Sequence, residues 1–240
     1  MIEKNSGKYD NLDTNVNDKS AYVSTNNIHD VSYKSIFKVK KNFLYFIKKY
    51  IALHWMMTIQ ENDIVEGSTE LLDERFKEYE ADLFYKIMLP NGDVVYMYIL
   101  FELQSYNDFT MPYRLLVYMT LKWMEIFANT NKNEREREGF RFPAIVPIVL
   151  YSGTQKWTAS RNFKNTIKDS DMFGKYLIDF EYVLIDLNTI DNTFIMKTNE
   201  VVDNILLCDK LKTKKAWEDH IYTVYKRIQS MQNEIDRKTC

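Results

Sequence analysis

Two carboxylates, Asp82 and Glu102, lie on neighbouring strand-like segments of this 240-residue chain. Residues 80–87 and 94–102 are both apolar runs that contain β-branched and aromatic side chains, a composition typical of strands. A carboxylate at the end of such a strand is costly to bury unless something compensates for it. Two carboxylates that converge from adjacent strands therefore indicate a divalent-metal site, whereas two that diverge simply point into solvent.

The turn between the two segments decides whether the carboxylates share a face of the sheet. The connecting residues read Leu-Pro-Asn-Gly-Asp, which is a strong hairpin signal. A two-residue Asn-Gly turn would place Asp82 opposite Phe101, so that the two acids would lie on different faces. A three-residue turn centred on Gly92, or a bulge, places Asp82 directly opposite Glu102. We predict this second register.

Gln104 extends the polar group, because it follows Glu102 by two positions and side chains alternate along a strand. Asp82, Glu102 and Gln104 would then form a compact patch at the ends of two strands. A small number of hard oxygen ligands suits Mg²⁺, or Mn²⁺, better than zinc. Such an ion polarises a phosphoryl oxygen and generates a hydroxide nucleophile near neutral pH. The predicted chemistry is metal-dependent hydrolysis.

The elements that must position these side chains combine helices with buried strands. Besides the two motif strands, we predict two long helices and two further strands, at about residues 30–56, 110–128, 142–153 and 181–187. Asp30 and Thr110 are the predicted N-caps of the two helices. Helices predominate after Asp191. The pattern predicts an α/β fold with a mixed β-sheet flanked by helices and a helical C-terminal extension.

Composition limits the class of protein. A hydrophobic share of 45% supports one sizeable core, and a formal net charge of −2 excludes a uniformly basic nucleic-acid coat. Two cysteines without metal-ligand spacing fit a reducing compartment. No apolar run reaches the roughly 18 residues that a membrane helix needs, and the first residues lack the apolar core of a signal peptide. We therefore expect a cytoplasmic protein without a membrane segment.

The chain divides into three predicted regions. Residues 1–28 form a disordered polar arm, residues 29–190 form the catalytic domain, and residues 191–240 form a C-terminal helical region. In the last region apolar residues recur at alternating spacings of four and three, which indicates a heptad-like seam. The seam either packs on the protein's own core or forms a homodimer through the C-terminal helix. Its members are Trp217, Ile221, Val224, Ile228, Met231 and Ile235.

Two groups of basic side chains recur at helical spacing. Each group is either a solvated helix face or a surface that binds phosphate groups, and the second case would give salt-dependent binding. The groups are Lys34, Lys38, Lys41, Lys48 and Lys49 on the first predicted helix, and Arg114 and Lys122, with Tyr118 between them, on the second.

Short motifs occur in a characteristic order along the chain. They are His29-Asp30 with Tyr33-Lys34 and Phe37, Ala81-Asp82-Leu83-Phe84-Tyr85, Glu102-Leu103-Gln104-Ser105, Met111-Pro112-Tyr113-Arg114-Leu115-Leu116-Val117-Tyr118-Met119 and Pro147-Ile148-Val149-Leu150-Tyr151-Ser152-Gly153. Together, over roughly residues 29–190, they resemble the recombination-promoting nuclease (Rpn) and putative transposase family, which is part of the PD-(D/E)XK nuclease superfamily.

The resemblance implies a restriction-endonuclease-like core and a Mg²⁺-dependent endonuclease that acts on DNA, associated with recombination or mobile elements. It assigns metal binding to Asp82 and Glu102 and the third catalytic position to Gln104. The superfamily usually has a lysine at that third position. The Gln104 amide can orient a water molecule but supplies no charge. Lys86 and Arg114 are therefore candidate sources of the missing positive charge.

Two further expectations follow from the resemblance. An additional acidic ligand often precedes the first motif strand in such nucleases, and Glu70, Asp73 and Glu74 are the candidates. The alternative function is a catalytically inactive nucleic-acid-binding or interaction module on the same fold. Two features are compatible with this alternative: the glutamine in place of the usual lysine at position 104, and the mildly acidic net charge.

Overall fold

Five strands form one mixed sheet in the order β1-β2-β3-β4-β5. The computed structural model describes residues 33–67, 83–102 and 107–239, with side chains for all of these except Glu66, residues 98–102 and residues 232–239. The strands are β1 (Ile64–Glu66), β2 (Leu83–Met88), β3 (Val94–Glu102), β4 (Ala144–Tyr151) and β5 (Val183–Asp186).

Helices lie on both sides of this sheet and predominate after β5. The helices of the described residues are α1 (33–38), α2 (Lys40–Phe46), α3 (Met111–Asn129), α4 (Lys132–Arg135), α5 (Ser170–Phe173), α6 (Asn192–Met196), α7 (Val201–Lys210) and α8 (Lys214–Thr239). A π-helical turn (Ile47–Ile51) follows α2, and short 3₁₀ segments lie at His54–Thr58, Glu61–Asp63, Lys164–Thr166, Gly174–Tyr176 and Leu187–Thr189.

The strand directions divide the sheet into two halves. β1, β2 and β3 pair antiparallel, whereas β3, β4 and β5 pair parallel. Parallel neighbours need a crossover connection, and α3 supplies it between β3 and β4. The predicted mixed sheet flanked by helices is confirmed, and it is consistent with a restriction-endonuclease-like α/β core. The three-residue strand β1 was not predicted, because so short a segment cannot show the alternation of apolar and polar residues that indicates a strand.

Each face of the sheet has its own apolar core. On the face that we call the α2/α7 face, β-strand side chains pack against the N-terminal helices and α7; this core includes Phe37, Phe43, Leu83, Tyr85, Ile87, Met97, Val202 and Leu206. On the opposite face, the α3 face, the core includes Phe84, Met111, Leu115, Tyr118, Val149, Tyr151 and Trp157. Even-numbered positions of β2 and β3 with described side chains thus face α3, as strand alternation requires.

The β2–β3 hairpin closes through a three-residue turn, Pro90-Asn91-Gly92. The Leu89 amide donates to the Asp93 carbonyl at 2.8 Å, and Leu83 lies opposite Ile99. Asn91 fixes the turn because its Oδ1 accepts from the Asp93 amide at 3.1 Å. The predicted turn length, and with it the pairing of positions of equal parity, is confirmed. The predicted centre at Gly92 is wrong, and the pairing is shifted by two residues.

The predicted first helix is not continuous. Val39 is extended (φ −74°, ψ 109°) and separates α1 from α2. The Asn42 side chain donates to the Ile36 carbonyl at 3.0 Å, which satisfies an acceptor that the break leaves without its helical partner. Ala52, at φ 55°, ends the π-helical turn. The prediction of one continuous helix that carries all five lysines is therefore wrong, because Lys34 and Lys38 lie before the break and Lys41, Lys48 and Lys49 lie after it.

The C-terminal seam is divided between two environments. Val224 is buried against Ile195 and Leu207, whereas Ile221 and Ile228 are 56% and 53% exposed. Arg227 fixes α8 to the rest of the chain, since its guanidinium donates to the carbonyls of Met196 and Thr198 and to Asn204. Val224 and Met231 of the seam contact the protein's own chain, and the homodimer stays a prediction. In the parts of the chain that the structure describes, no helix is long and apolar enough to cross a membrane.

Candidate active site

Three parallel strands end together at one edge of the sheet. Glu102, the last residue of β3, pairs with Tyr151 of β4, and Tyr151 pairs in turn with Asp186 of β5. In open α/β sheets, ligands bind outside the carboxyl ends of parallel strands. The backbone therefore places Glu102 at the edge where such a sheet forms its site. We call this the carboxyl edge.

Asp186 organises the backbone beside this edge. Its side chain is buried, and its Oδ1 accepts from the Asn188 amide and from Asn188 Nδ2, both at 2.9 Å. Its other oxygen accepts from the Trp157 amide at 3.2 Å, which ties the chain after β4 to the end of β5. Asp186 thus links the segment after β4 to the end of β5 and fixes the backbone at this edge.

An aromatic pair covers the α3 side of the carboxyl edge. Trp157 Nε1 donates to the Tyr182 hydroxyl at 3.0 Å, and that hydroxyl donates to the Ser160 carbonyl at the same distance. Trp157 also contacts the Tyr151 ring edge-on, with 4.8 Å between ring centroids. Burial raises the pKa of Tyr182 to about 12, so its hydroxyl stays protonated at neutral pH. These buried rings exclude water from the region beside the end of β4.

The chain that follows the motif strand returns along the same edge. Asn107 Nδ2 donates to the Lys156 carbonyl at 3.1 Å, and the Thr158 amide donates to Asn107 Oδ1. Asp108 Oδ1 accepts from the Thr110 amide at 2.8 Å, just before α3 begins. Thr110 precedes α3 as predicted, but its side chain makes no capping hydrogen bond. These contacts fix the first turn of α3 beside the chain that follows β4.

Arg114 is the cation on this first turn. Its Nη1 lies 2.6 Å from Asp108 Oδ2, and 27% of its side chain is exposed. Burial favours the neutral form of Asp108, but hydrogen bonds from Thr110 and Arg114 outweigh it and lower the pKa of this carboxyl. Burial also disfavours the charged guanidinium, but the hydrogen bond with Asp108 raises the pKa of Arg114. The ion pair is charged at neutral pH and partly open to solvent.

The other residues of the predicted Arg114 stripe face inward. Tyr118 and Lys122 are buried, and Lys122 Nζ lies 4.6 Å from the Phe84 ring centroid and 2.9 Å from Glu125 Oε2. The aromatic side chains on this face of the sheet stabilise the ammonium group by a cation–π contact. Neither predicted alternative, a solvated face or a phosphate-binding stripe, holds for Tyr118 and Lys122.

Lys86, the other candidate for the missing charge, lies at the wrong end of the sheet. It pairs with Tyr96, six residues before Glu102 on β3. At about 3.3 Å per residue the separation along the strand is roughly 20 Å, beyond the reach of a lysine side chain. Of the two predicted sources of positive charge, only Arg114 lies near the carboxyl edge.

Most of the predicted metal ligands lie outside the described residues. Among the described side chains no group of three or more histidine, cysteine, aspartate and glutamate residues could hold a metal ion. The structure fixes only the backbone position of Glu102. The metal site therefore stays a prediction. The residues outside the description are Asp82, Gln104, Glu70, Asp73 and Glu74.

Sequence analysis missed the polar residues that shape this edge. None of Asn107, Asp108 and Trp157 belongs to a sequence motif, and their hydrogen-bond partners are up to 52 residues away in the chain. One local signal was available, since an aspartate two residues before a threonine at a helix start is typical of an Asx turn. The remaining contacts depend on how β4 and α3 are placed in the fold.

Comparisons with known proteins identify the family to which the chain belongs. Residues 27–239 match the family described as putative transposase, YhgA-like. Over 132 residues the chain is 21% identical to the recombination-promoting nuclease RpnD of Escherichia coli O157:H7; the match covers 55% of this chain and 48% of the relative, about half of its length. No solved structure matches the chain. Because the family match covers nearly the whole chain, the protein belongs to the family of YhgA-like putative transposases.

Proposed function

We propose that this protein is a Mg²⁺-dependent DNA endonuclease that acts in recombination or with mobile elements. The observation that carries the proposal is the position of Glu102 at the carboxyl edge, beside the first turn of α3 with its Arg114 cation. Family membership supports a recombination-associated role, as does the similarity to a protein named recombination-promoting nuclease.

The proposed metal ligands are Asp82 and Glu102, and Mn²⁺ could replace Mg²⁺. Carboxylate oxygens are the ligands that these hard cations prefer. The equal-parity pairing of β2 and β3 is the pairing that such a site requires. When bound, the ion supplies Lewis acidity and lowers the pKa of a water molecule. The Gln104 amide is proposed to orient that water.

Arg114 is proposed to hold the scissile phosphate. A guanidinium presents several donors in a planar fork that matches phosphate oxygens. Its ion pair with Asp108 aligns it, and its partial exposure leaves it accessible to a ligand. On this proposal Arg114 replaces the charge that the usual motif lysine supplies, because the Gln104 amide carries none.

Cleavage of supercoiled plasmid tests the proposal. Wild-type protein with Mg²⁺ should nick the plasmid, and cleavage should stop when EDTA removes the metal. Asp82→Asn and Glu102→Gln should each abolish cleavage, while Glu136→Gln, which changes an exposed acid directly after α4, should cleave as wild type does. Cleavage by both motif variants at the wild-type rate would overturn the site assignment.

The alternative function gives a different result in the same experiment. An inactive nucleic-acid-binding module would bind DNA but would not cut it with either Mg²⁺ or Mn²⁺. Binding without turnover in the wild-type protein would therefore replace the proposed nuclease with the module. A protein that neither binds nor cuts DNA would contradict both functions.

A further inference from the structure

A groove with lysines on its rim lies on the outer surface of the helices that cover the α2/α7 face. Its volume is roughly 530 Å³. We propose that this groove, the lysine groove, binds the phosphate backbone of duplex DNA away from the carboxyl edge, an inference that rests on the proposed function. Its lining residues are Lys41, Leu44, Tyr45, Lys48, Lys49, Lys197 and Thr198.

One wall of the groove is formed by α2 and the π-helical turn that continues it. Lys41, Leu44, Tyr45 and Lys48 follow one another at intervals of three, one and three, and such positions share a helix face. Leu44 and Tyr45 are half-buried against the main core and form an apolar floor. The ammonium groups therefore flank an apolar strip, and Lys197, exposed after α6, adds a further cation.

One of the four lysines is part of the structure rather than of the binding surface. Lys49 Nζ lies 2.8 Å from Asp203 Oδ1, and only 13% of the Lys49 side chain is exposed. Asp203, which is fully buried, also accepts from the hydroxyls of Tyr45 and Tyr50 at 2.7 and 2.6 Å. Lys49 and Asp203 thus hold Tyr45 in place, and they leave Lys41, Lys48 and Lys197 for a ligand.

Charge complementarity identifies a polyanion as the ligand. The described residues that line the groove include four lysines and no acid. Because Asp203 neutralises Lys49, the charges of Lys41, Lys48 and Lys197 leave the groove positive, although the whole chain carries a formal charge of −2. A local positive surface on a mildly acidic protein steers anionic partners to that place.

The spacing of the lysines fits a phosphate backbone better than it fits one small anion. Lys41 lies in α2 and Lys48 in the π-helical turn that follows it, and their seven-residue separation corresponds to roughly 10 Å along the axis. Phosphates rise about 3.4 Å per nucleotide along one strand of duplex DNA, so three steps cover the same distance. The cations are spread along the groove and do not converge on one point, which suits several phosphates in a row.

Fluorescence anisotropy with a labelled DNA duplex in EDTA tests this inference without cleavage. The groove variant is Lys41→Gln/Lys48→Gln/Lys197→Gln. The matched control removes the same charge from three exposed lysines elsewhere, Lys132→Gln/Lys168→Gln/Lys214→Gln. Each phosphate contact contributes about 0.9 to the slope of log affinity against log salt. The groove variant should lose about 2.7 of that slope and on the order of 100-fold in affinity at low salt, while the control should change far less.

Each outcome separates the groove from the catalytic proposal. Loss of affinity in the groove variant only, with an unchanged melting temperature, supports the inference. Equal affinity and equal salt slope in the groove variant and the control overturn it, while cleavage by the wild-type protein would leave the nuclease function in place. Wild-type protein that binds no DNA in EDTA overturns the groove proposal, and the nuclease function is overturned only if the wild-type protein also fails to cleave plasmid with Mg²⁺. Wild-type cleavage together with a Glu102→Gln protein that binds DNA but does not cut it supports both.

Discussion

The two faces of the sheet use buried charge in different ways. On the α2/α7 face, Asp203 is fully buried and accepts hydrogen bonds from Lys49, Tyr45 and Tyr50. On the α3 face, Arg114 pairs with Asp108 at the carboxyl edge and keeps 27% of its side chain exposed. The first cluster is closed by its own neighbours and is suited to stability. The second is open to a ligand and is suited to chemistry.

The largest expected effect tests the closed cluster. Asp203→Ala should lower the free energy of unfolding by about 3–5 kcal/mol, because it leaves the Lys49 charge poorly compensated in a buried place. Urea denaturation followed by circular dichroism measures this change. Lys49→Met/Asp203→Ala should be less destabilised than the sum of the two single variants, because neither charge then remains. Additive losses would show that the two groups are not coupled.

The next effect tests the open cluster. Arg114→Gln should slow DNA cleavage by on the order of 100-fold, since an accessible guanidinium stabilises charge that develops on the phosphate. Its free energy of unfolding should fall by only about 0.5–1 kcal/mol, because the ion pair is partly exposed. Arg161→Gln, which removes an exposed arginine paired with Glu181, is the control and should cleave normally. A cleavage rate within twofold of wild type would leave Arg114 without a role in catalysis.

The pH dependence of stability sharpens the comparison further. Burial alone raises the pKa of Asp203, but hydrogen bonds from Lys49, Tyr50, Tyr45 and Thr198 outweigh it, and the pKa is lowered. A carboxyl with a depressed folded-state pKa contributes stability above its unfolded pKa of about 3.9 and loses it as the pH falls through the folded value. The stability advantage of wild type over Asp203→Asn should therefore be constant near neutral pH and shrink below about pH 4. Urea midpoints measured across this range check the prediction, and an advantage that grows as pH falls would contradict it.

The smallest effect concerns the cation at the far end of the sheet. Lys86→Gln should change the cleavage rate by less than about twofold, because Lys86 lies roughly 20 Å along the strand from Glu102. Plasmid-nicking rates of Lys86→Gln, Arg114→Gln and wild type, measured side by side, compare the effects of the two cations on cleavage. A loss in Lys86→Gln as large as that in Arg114→Gln would place the missing positive charge on β2.

The sequence predicts the elements that local patterns specify. Strands β2 to β5, the α3 helix and the equal-parity hairpin follow from apolar runs and turn residues, all of them local signals. The turn centre depended on the Asn91 side chain, which stabilises one of several compatible turns. The local sequence pattern therefore identified the hairpin and the parity of its pairing, but not which residues pair.

The features that the sequence could not reveal depend on distant contacts. Asp203 contacts Lys49 across 154 residues of sequence, and Lys122 is buried against the rings of Phe84 on β2 and Tyr96 on β3. A lysine at helical spacing has the same pattern whether it faces solvent or an aromatic surface. For the candidate site, sequence motifs supply Asp82, Glu102 and Gln104, whereas the contacts of Arg114 and Asp108 become visible only in the fold.

Calorimetric titration with Mn²⁺ tests the central proposal, that Asp82 and Glu102 hold a catalytic metal ion. Three proteins are compared: wild type, Glu102→Gln and the exposed-acid control Glu136→Gln. The proposal predicts a binding isotherm for wild type and for the control, and its loss or strong weakening in Glu102→Gln. Binding by Glu102→Gln with the wild-type affinity and stoichiometry would contradict it.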